Sequence, residues 1–312
     1  MALPSIFHSR AARAVVAAGV TVPLLAACSS AQAEDSITFA AVPSESSATL
    51  EASFENVTAL LEQETGKTVE FQNASDYAAV IEGMRAGQID VASFGPFAYV
   101  ISKDSGIDMA PAVAPTHDRQ DAPAYTSLAY VREGSDIQDL EDLEGRNVCF
   151  VDAASTSGYL VPMKGIMDAG MDMNHDTTAV LAGGHDASLL SLASENCDVG
   201  FAHDTMLQTL ETSGQVEPGS LVPIWESDPI TEDPIAINNE TLTPELAEQI
   251  TTILREQANI PALVDAGICS SEDECALPEE IEYGYLPVDD SGFDAIREIC
   301  EATDADACQS VG

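Results

Sequence analysis

Positive charge is what this 312-residue chain has least of: 11 Lys plus Arg stand against 53 Asp plus Glu, a formal net charge of -42 at pH 7. That balance excludes a general nucleic-acid surface and adhesion to anionic lipid, both of which need clustered cations. The acids are spread along the chain, so there is no acidic tail. Histidine is also scarce: His8, His117, His175, His185 and His203 are all there is. No H-E-x-x-H or G-x-S-x-G motif occurs, which removes the usual sequence basis for a metallo- or serine hydrolase. We expect no catalytic residue, no metal and no cofactor. Beyond the N-terminus no apolar run is long enough to span a membrane.

What is present begins at the N-terminus. Arg10 and Arg13 precede the apolar run 14–27, which is too short for a span and reads as a secretory signal. Leu25-Ala26-Ala27-Cys28 resembles a bacterial lipobox, implying cleavage before Cys28 and lipidation of its sulfur. Residues 28–36 are small and polar and suit a tether. Six cysteines follow Cys28, and an even number in an exported chain points to disulfides. Cys269 and Cys275, and Cys300 and Cys308, are close enough to close small loops. Cys149 and Cys197 would then remain, although the sequence alone does not choose among the pairings. The acid-rich, lysine-poor composition fits a surface that works in salt, where self-repulsion is screened.

About 280 mature residues suit two domains. Strand and helix signals alternate, which indicates parallel sheets in an α/β fold. Helices are expected over 47–65, 77–86, 137–143, 160–169, 187–194, 204–212, 244–257 and 293–302. Strands are expected over 37–42, 68–72, 89–94, 125–131, 148–152, 178–181, 199–202, 221–225 and 234–238. The runs 125–131 and 234–238 bracket the middle of the chain and read as two crossings between lobes. Such a hinge places a ligand cleft at the carboxyl ends of strands, with helix N-termini pointing in.

One segment carries the chemistry. Val148 to Asp152 leads into Ser155-Thr156-Ser157-Gly158 and then an apolar-periodic run. A helix start has N–H groups without intrahelical partners and the positive end of the helix dipole. Three hydroxyls there make a cradle for a tetrahedral oxyanion built from neutral donors. Serine and threonine are also ordinary N-caps, and one cap needs only one hydroxyl.

In four collinear segments the chain resembles the phosphonate- and phosphite-binding subunits of ABC transporters. They are Asp76 to Val80 continuing through Gly87-Gln88-Ile89-Asp90 to Phe94-Gly95-Pro96-Phe97-Ala98-Tyr99; Tyr125-Thr126-Ser127 with Leu140 to Gly145; Ser155 to Gly158; and His185, Asp198-Val199-Gly200 and Asp204 with Thr231 to Pro234. The resemblance implies a type II periplasmic-binding-protein fold, two α/β lobes joined by two hinge strands with the cleft between them. The expected boundaries are 37–127 plus 237–312 for one lobe and 128–236 for the other. By position, Ser155, Thr156 and Ser157 hold the oxyanion. Tyr77 and Tyr125 close on it, His185 donates to an oxygen, and Asp204 and Asp233 receive a ligand proton or amine. Thr231 replaces an expected proline, and Asp204 stands where some members have a longer acid. Tyr99 and Trp225 read as packing residues.

A carboxylate in an anion cleft makes sense only if it meets a proton or an ammonium, so a fully deprotonated ligand is rejected. The resulting expectation is a monomeric, lipid-anchored, extracytoplasmic receptor. It delivers phosphite or a phosphonate to an ABC permease. The alternatives are a phosphate receptor of the same fold, an exported phosphoester hydrolase, and a sensor serving a separate membrane kinase.

Overall fold

The computed structural model describes residues 35–278 and 281–309. The signal, Cys28 and most of the tether lie outside the described residues. The strands in chain order are β1 (Ser36–Ala41), β2 (Thr68–Gln72), β3 (Val91–Ser93), β4 (Met109–Thr116), β5 (Ala124–Tyr125), β6 (Ser127–Arg132), β7 (Asn147–Phe150), β8 (Thr178–Leu181), β9 (Val199–His203), β10 (Leu221–Glu226), β11 (Ile230–Thr231), β12 (Ile235–Asn238) and β13 (Gly284–Pro287). One sheet has the order β13-β4-β12-β3-β1-β2 and a second the order β10-β6-β9-β7-β8. In the first, β1 runs parallel to β2 and β3, with β12 and β13 antiparallel to their neighbours. In the second, β7 runs parallel to β8 and β9.

The first sheet draws on both ends of the chain and the second on its middle. The crossings between them meet in a third, two-stranded ladder of β5 and β11, with Tyr125 opposite Ile230 and Ala124 opposite Thr231. The expected single extended run over 125–131 is therefore divided. Thr126 separates β5 from β6 because its N–H turns aside to the Asp204 carboxylate at 3.0 Å.

Other departures have local causes. The helix expected over 47–65 breaks at Phe54, whose buried ring lies 5.2 Å from Phe39 and 6.1 Å from Phe71. The short helix expected over 137–143 is a single 3₁₀ turn, Leu140–Leu143, capped by the Asp139 carboxylate. The helix expected from Asp204 starts at Met206. The helix Pro96–Asp104 and the strand β4 were not anticipated. Pro111 and Pro115 argue against an interior strand, yet β4 lies between β13 and β12. The register shifts beside Pro111, and the Ala112 carbonyl accepts from Arg255 Nε at 3.0 Å. A bulge is where a sheet interior tolerates proline.

One apolar cluster ties the two sheets together. It contains Ala92, Phe94 and Phe97 from around the first sheet and Val151, Ala154, Leu160 and Val161 from around the second. Tyr99 is structural, its hydroxyl donating to Asp290 at 2.7 Å, where Arg297 also binds at 3.0 Å. Trp225 packs edge-on against Phe201 in the second sheet's core.

The six cysteines form three disulfides: Cys149–Cys197, Cys269–Cys275 and Cys300–Cys308. The first joins the middle of β7 to the approach to β9 and spans 48 residues, the longest separation of the three. A cross-link of that span constrains the unfolded chain most and contributes about 2–4 kcal/mol. Replacing Cys149 and Cys197 together by alanine should lower the urea midpoint accordingly. The same change at Cys269 and Cys275, six residues apart, should cost less. Equal losses in the two double variants would contradict this ranking.

Candidate functional site

The site grows from the end of β7. Beyond Phe150 the chain makes a tight turn in which Ser155 N–H donates to Asp152 O and Ala154 N–H to the Asp152 carboxylate. The next turn, Thr156–Leu160, is π-wound before the α-helix Val161–Asp168 begins. Single π turns are frequent at functional sites. Ser155 performs the capping role, its hydroxyl accepting from Gly158 N–H at 3.2 Å. The first-turn N–H groups of Thr156 and Ser157 have no intrahelical acceptor by construction. A Cβ on residue 158 would lie 2.2 Å from Val151 Cγ2, so only glycine lets the turn fold back on the strand.

The hydroxyls reach across the cleft. Thr156 Oγ1 accepts from Phe97 N–H at 2.9 Å, a buried bond between the two sheets' segments. The Tyr125 phenol lies beside the Ser157 and Thr156 side chains. Burial, together with the nearby Asp233 and Glu232 carboxylates, holds that phenol protonated far above its usual range. Tyr77 opens the helix Tyr77–Arg85, and its N–H is bonded by the Asp152 carboxylate from the opposite side. Burial raises the pKa of Asp152 despite that bond.

The opposite wall comes from β9 and the helix His185–Ala193. His185 N–H donates to Ser44 O at 2.8 Å, a further bond across the cleft. His185 Nδ1 accepts from His203 N–H at 3.2 Å, so the proton of the neutral ring sits on Nε2. The two rings meet edge to face with centroids 4.7 Å apart. Burial drives His185 well below its usual pKa and takes His203 down to about 4. Both are therefore neutral donors or acceptors at physiological pH.

These elements enclose a cavity of about 10 Å³ lined by Ser44, Tyr77, Gly95, Tyr125, Ser155, Thr156, Ser157, His185, His203 and Asp233. Seven of the eight residues read from the sequence come together there. Asp204 does not: its carboxylate accepts from the N–H and hydroxyl of Thr126 at 3.0 and 3.3 Å, and Asp233 is the one carboxylate on the lining. Asp204 instead serves the strand break that shapes the hinge. Ser44, Gly95 and His203 join the site unannounced. Each follows or ends a strand at its carboxyl end, and that position was the available signal. No lysine or arginine lines the cavity. Among the described residues no cluster of side chains could hold a metal ion.

Two α/β lobes, a double crossing and an enclosed polar cleft define a binding-protein fold of the type II class. The family profile described as "ABC transporter, phosphonate, periplasmic substrate-binding protein" matches residues 39–264, and the chain belongs to that family. It is 40% identical to the phosphate-import protein PhnD of Mycolicibacterium smegmatis, over 96% of this chain and 99% of that one. A solved binding protein of an ABC phosphonate transporter from Pseudomonas aeruginosa superposes with a TM-score of 0.75 at 25% identity, covering 86% of each chain. PhnD1 of Prochlorococcus marinus, solved with methylphosphonate, shares the fold with a TM-score of 0.70 at 16% identity, over 87% of this chain and 99% of that one.

Two outcomes follow from this geometry. Gly158→Ala should cost about 1–3 kcal/mol of stability through overpacking and weaken ligand binding, both read in one thermal-shift titration. An unchanged melting temperature would show that the turn relaxes freely. The histidines set the second. Their folded pKa values lie below the unfolded value, so between pH 6.5 and 4 the unfolded chain binds protons that the native state refuses. Stability from this source is full above pH 6.5 and falls as pH drops, by up to about 1.4 kcal/mol per pH unit for each ring. His185→Gln should flatten the dependence of the urea midpoint between pH 6.5 and 4.5, and a parallel curve would refute the assignment.

Proposed function

We propose that the chain is the lipid-anchored receptor of an ABC importer that captures a phosphorus oxyanion between its lobes and presents it to the permease. The observation that carries this reading is the π-wound Thr156–Leu160 turn, which aims hydroxyls and first-turn amides into a small cleft without any cation. Neutral donors satisfy the oxyanion in a chain whose net charge of -42 would repel it at long range. Charge-assisted hydrogen bonds contribute roughly 1.5–3 kcal/mol each, so a few of them suffice. Asp233 then demands a ligand proton or amine and turns away sulfate, which carries neither at neutral pH.

The lobes are 37–127 with 237–312, and 128–236, turning about the β5/β11 ladder. They hold the ligand by closing and release it by opening. The cross-cleft bonds Phe97–Thr156 and His185–Ser44 tie the closed form. The cavity of about 10 Å³ must part slightly to admit even a compact tetrahedral group, and a long alkyl arm has little space. Phosphite, methylphosphonate and phosphate are the candidates of suitable size. The name of the 40%-identical relative favours including phosphate. The chain acts as a monomer, anchored at Cys28, and catalyses nothing. The hydrolase alternative has no specific observation in its favour.

Calorimetric titration of the domain beginning after Cys28 tests the reading, with phosphite, methylphosphonate, 2-aminoethylphosphonate, phosphate and sulfate as ligands. One-to-one binding of at least one phosphorus oxyanion is expected, with sulfate silent. Thr156→Ala should weaken that binding roughly tenfold or more, in line with loss of one charge-assisted bond. Silence across the panel would remove the function proposed.

A further inference from the structure

His203 has an atom that the fold does not use. Its side chain is 95% buried and lines the ligand cavity. Its Nδ1 lies 3.1 Å from Thr205 Oγ1, while its Nε2 has no hydrogen-bond partner among the described residues. A buried ring nitrogen without a partner costs stability, and native structures rarely leave one without a reason. The neighbouring His185 is accounted for differently. Its Nδ1 is fixed as an acceptor by the His203 backbone N–H, so the backbone of residue 203 orients one ring while its side chain faces the cavity.

The remaining lining is as informative. Apart from Gly95, every residue on the cavity wall carries a hydroxyl, an imidazole or a carboxylate, and no aliphatic side chain is among them. A phosphonate or phosphite has three oxygens and one vertex that is carbon or hydrogen. That vertex prefers an apolar wall, and a polar group facing it is left unpaired. Phosphate has an oxygen at all four vertices.

We propose that His203 is the specificity-determining residue of this site, its Nε2 meeting the fourth oxygen of inorganic phosphate. The ring adapts to either state of that oxygen. With Thr205 Oγ1 donating to Nδ1, the ring proton sits on Nε2 and is donated to P–O⁻. With Nδ1–H donating to Thr205 Oγ1, the Nε2 lone pair accepts from P–O–H. In both cases the ring stays neutral. The inference rests on the receptor reading above and narrows it to four-oxygen ligands.

The test is a calorimetric series on the mature domain with phosphate, phosphite and methylphosphonate. The wild type should bind phosphate roughly ten- to hundredfold more tightly than the other two, the span expected for one unpaired buried group. His203→Phe keeps the backbone N–H to His185 and replaces Nε2 by carbon. It should collapse that ratio by weakening phosphate and sparing methylphosphonate. His203→Gln, which restores a polar end, should recover part of the preference. If His203→Phe does not fold, Thr205→Val serves: it removes the partner of Nδ1, leaves the ring in place and should also lower the ratio. A ratio unchanged in these variants, or a wild type that binds methylphosphonate or phosphite as tightly as phosphate, overturns the role of His203 and leaves the receptor reading standing. Failure of all three ligands to bind the wild type overturns both.

Discussion

A buried polar cleft without a cation, inside a chain with 42 excess negative charges, is the constraint on which the rest of this structure depends. Lysine or arginine would supply attraction cheaply, but the cleft has neither. The alternative is many neutral dipoles held in place before the ligand arrives, which works only if the scaffold keeps them oriented. That requirement explains the π-wound turn on β7, the glycine that seats it against Val151, and the burial that keeps both histidines uncharged.

Preorganisation from one lobe is not enough, because the donors belong to different sheets. Thr156 reaches Phe97, His185 reaches Ser44, and Asp152 reaches Tyr77. Each bond links a segment of one sheet to a segment of the other, so in the proposed receptor the geometry that binds ligand is also the geometry of closure. Several such bonds, each modest by net worth, make closure tight yet reversible. In that proposed motion the two-stranded ladder of β5 and β11, only two residue pairs long, is the pivot. Asp204 contributes here, holding Thr126 at the point where β5 ends and β6 begins.

Much of this was legible in the chain. The alternation of strand and helix signals located nearly every element of both sheets, because apolar period and turn residues act locally. The three hydroxyls at 155–157, Tyr77, Tyr125, His185 and Asp233, which the fold gathers around one cavity, stand at strand ends and helix starts, where α/β folds place ligands. β4 was hidden by its prolines, whose tolerance depends on a bulge set by β12 and on Arg255 from a distant helix. The break at Phe54 was hidden likewise, since only Phe39 and Phe71 explain where its ring goes.

By itself the sequence determined the fold class, the even set of cysteines and the hydroxyl-rich turn, all features set by composition and short-range pattern. Tertiary structure alone decided which acid faces the cavity. Asp204 and Asp233 look alike in sequence, each beside a strand end, but Asp204 accepts from Thr126 while Asp233 lines the cleft. It also decided that His203 lines the cavity, because the environment of a ring nitrogen depends on contacts that form only in the folded chain, such as that with Thr205. Hydrogen-bond partnership across a cleft has no period and no local spacing, so it exists only once the chain has closed on itself.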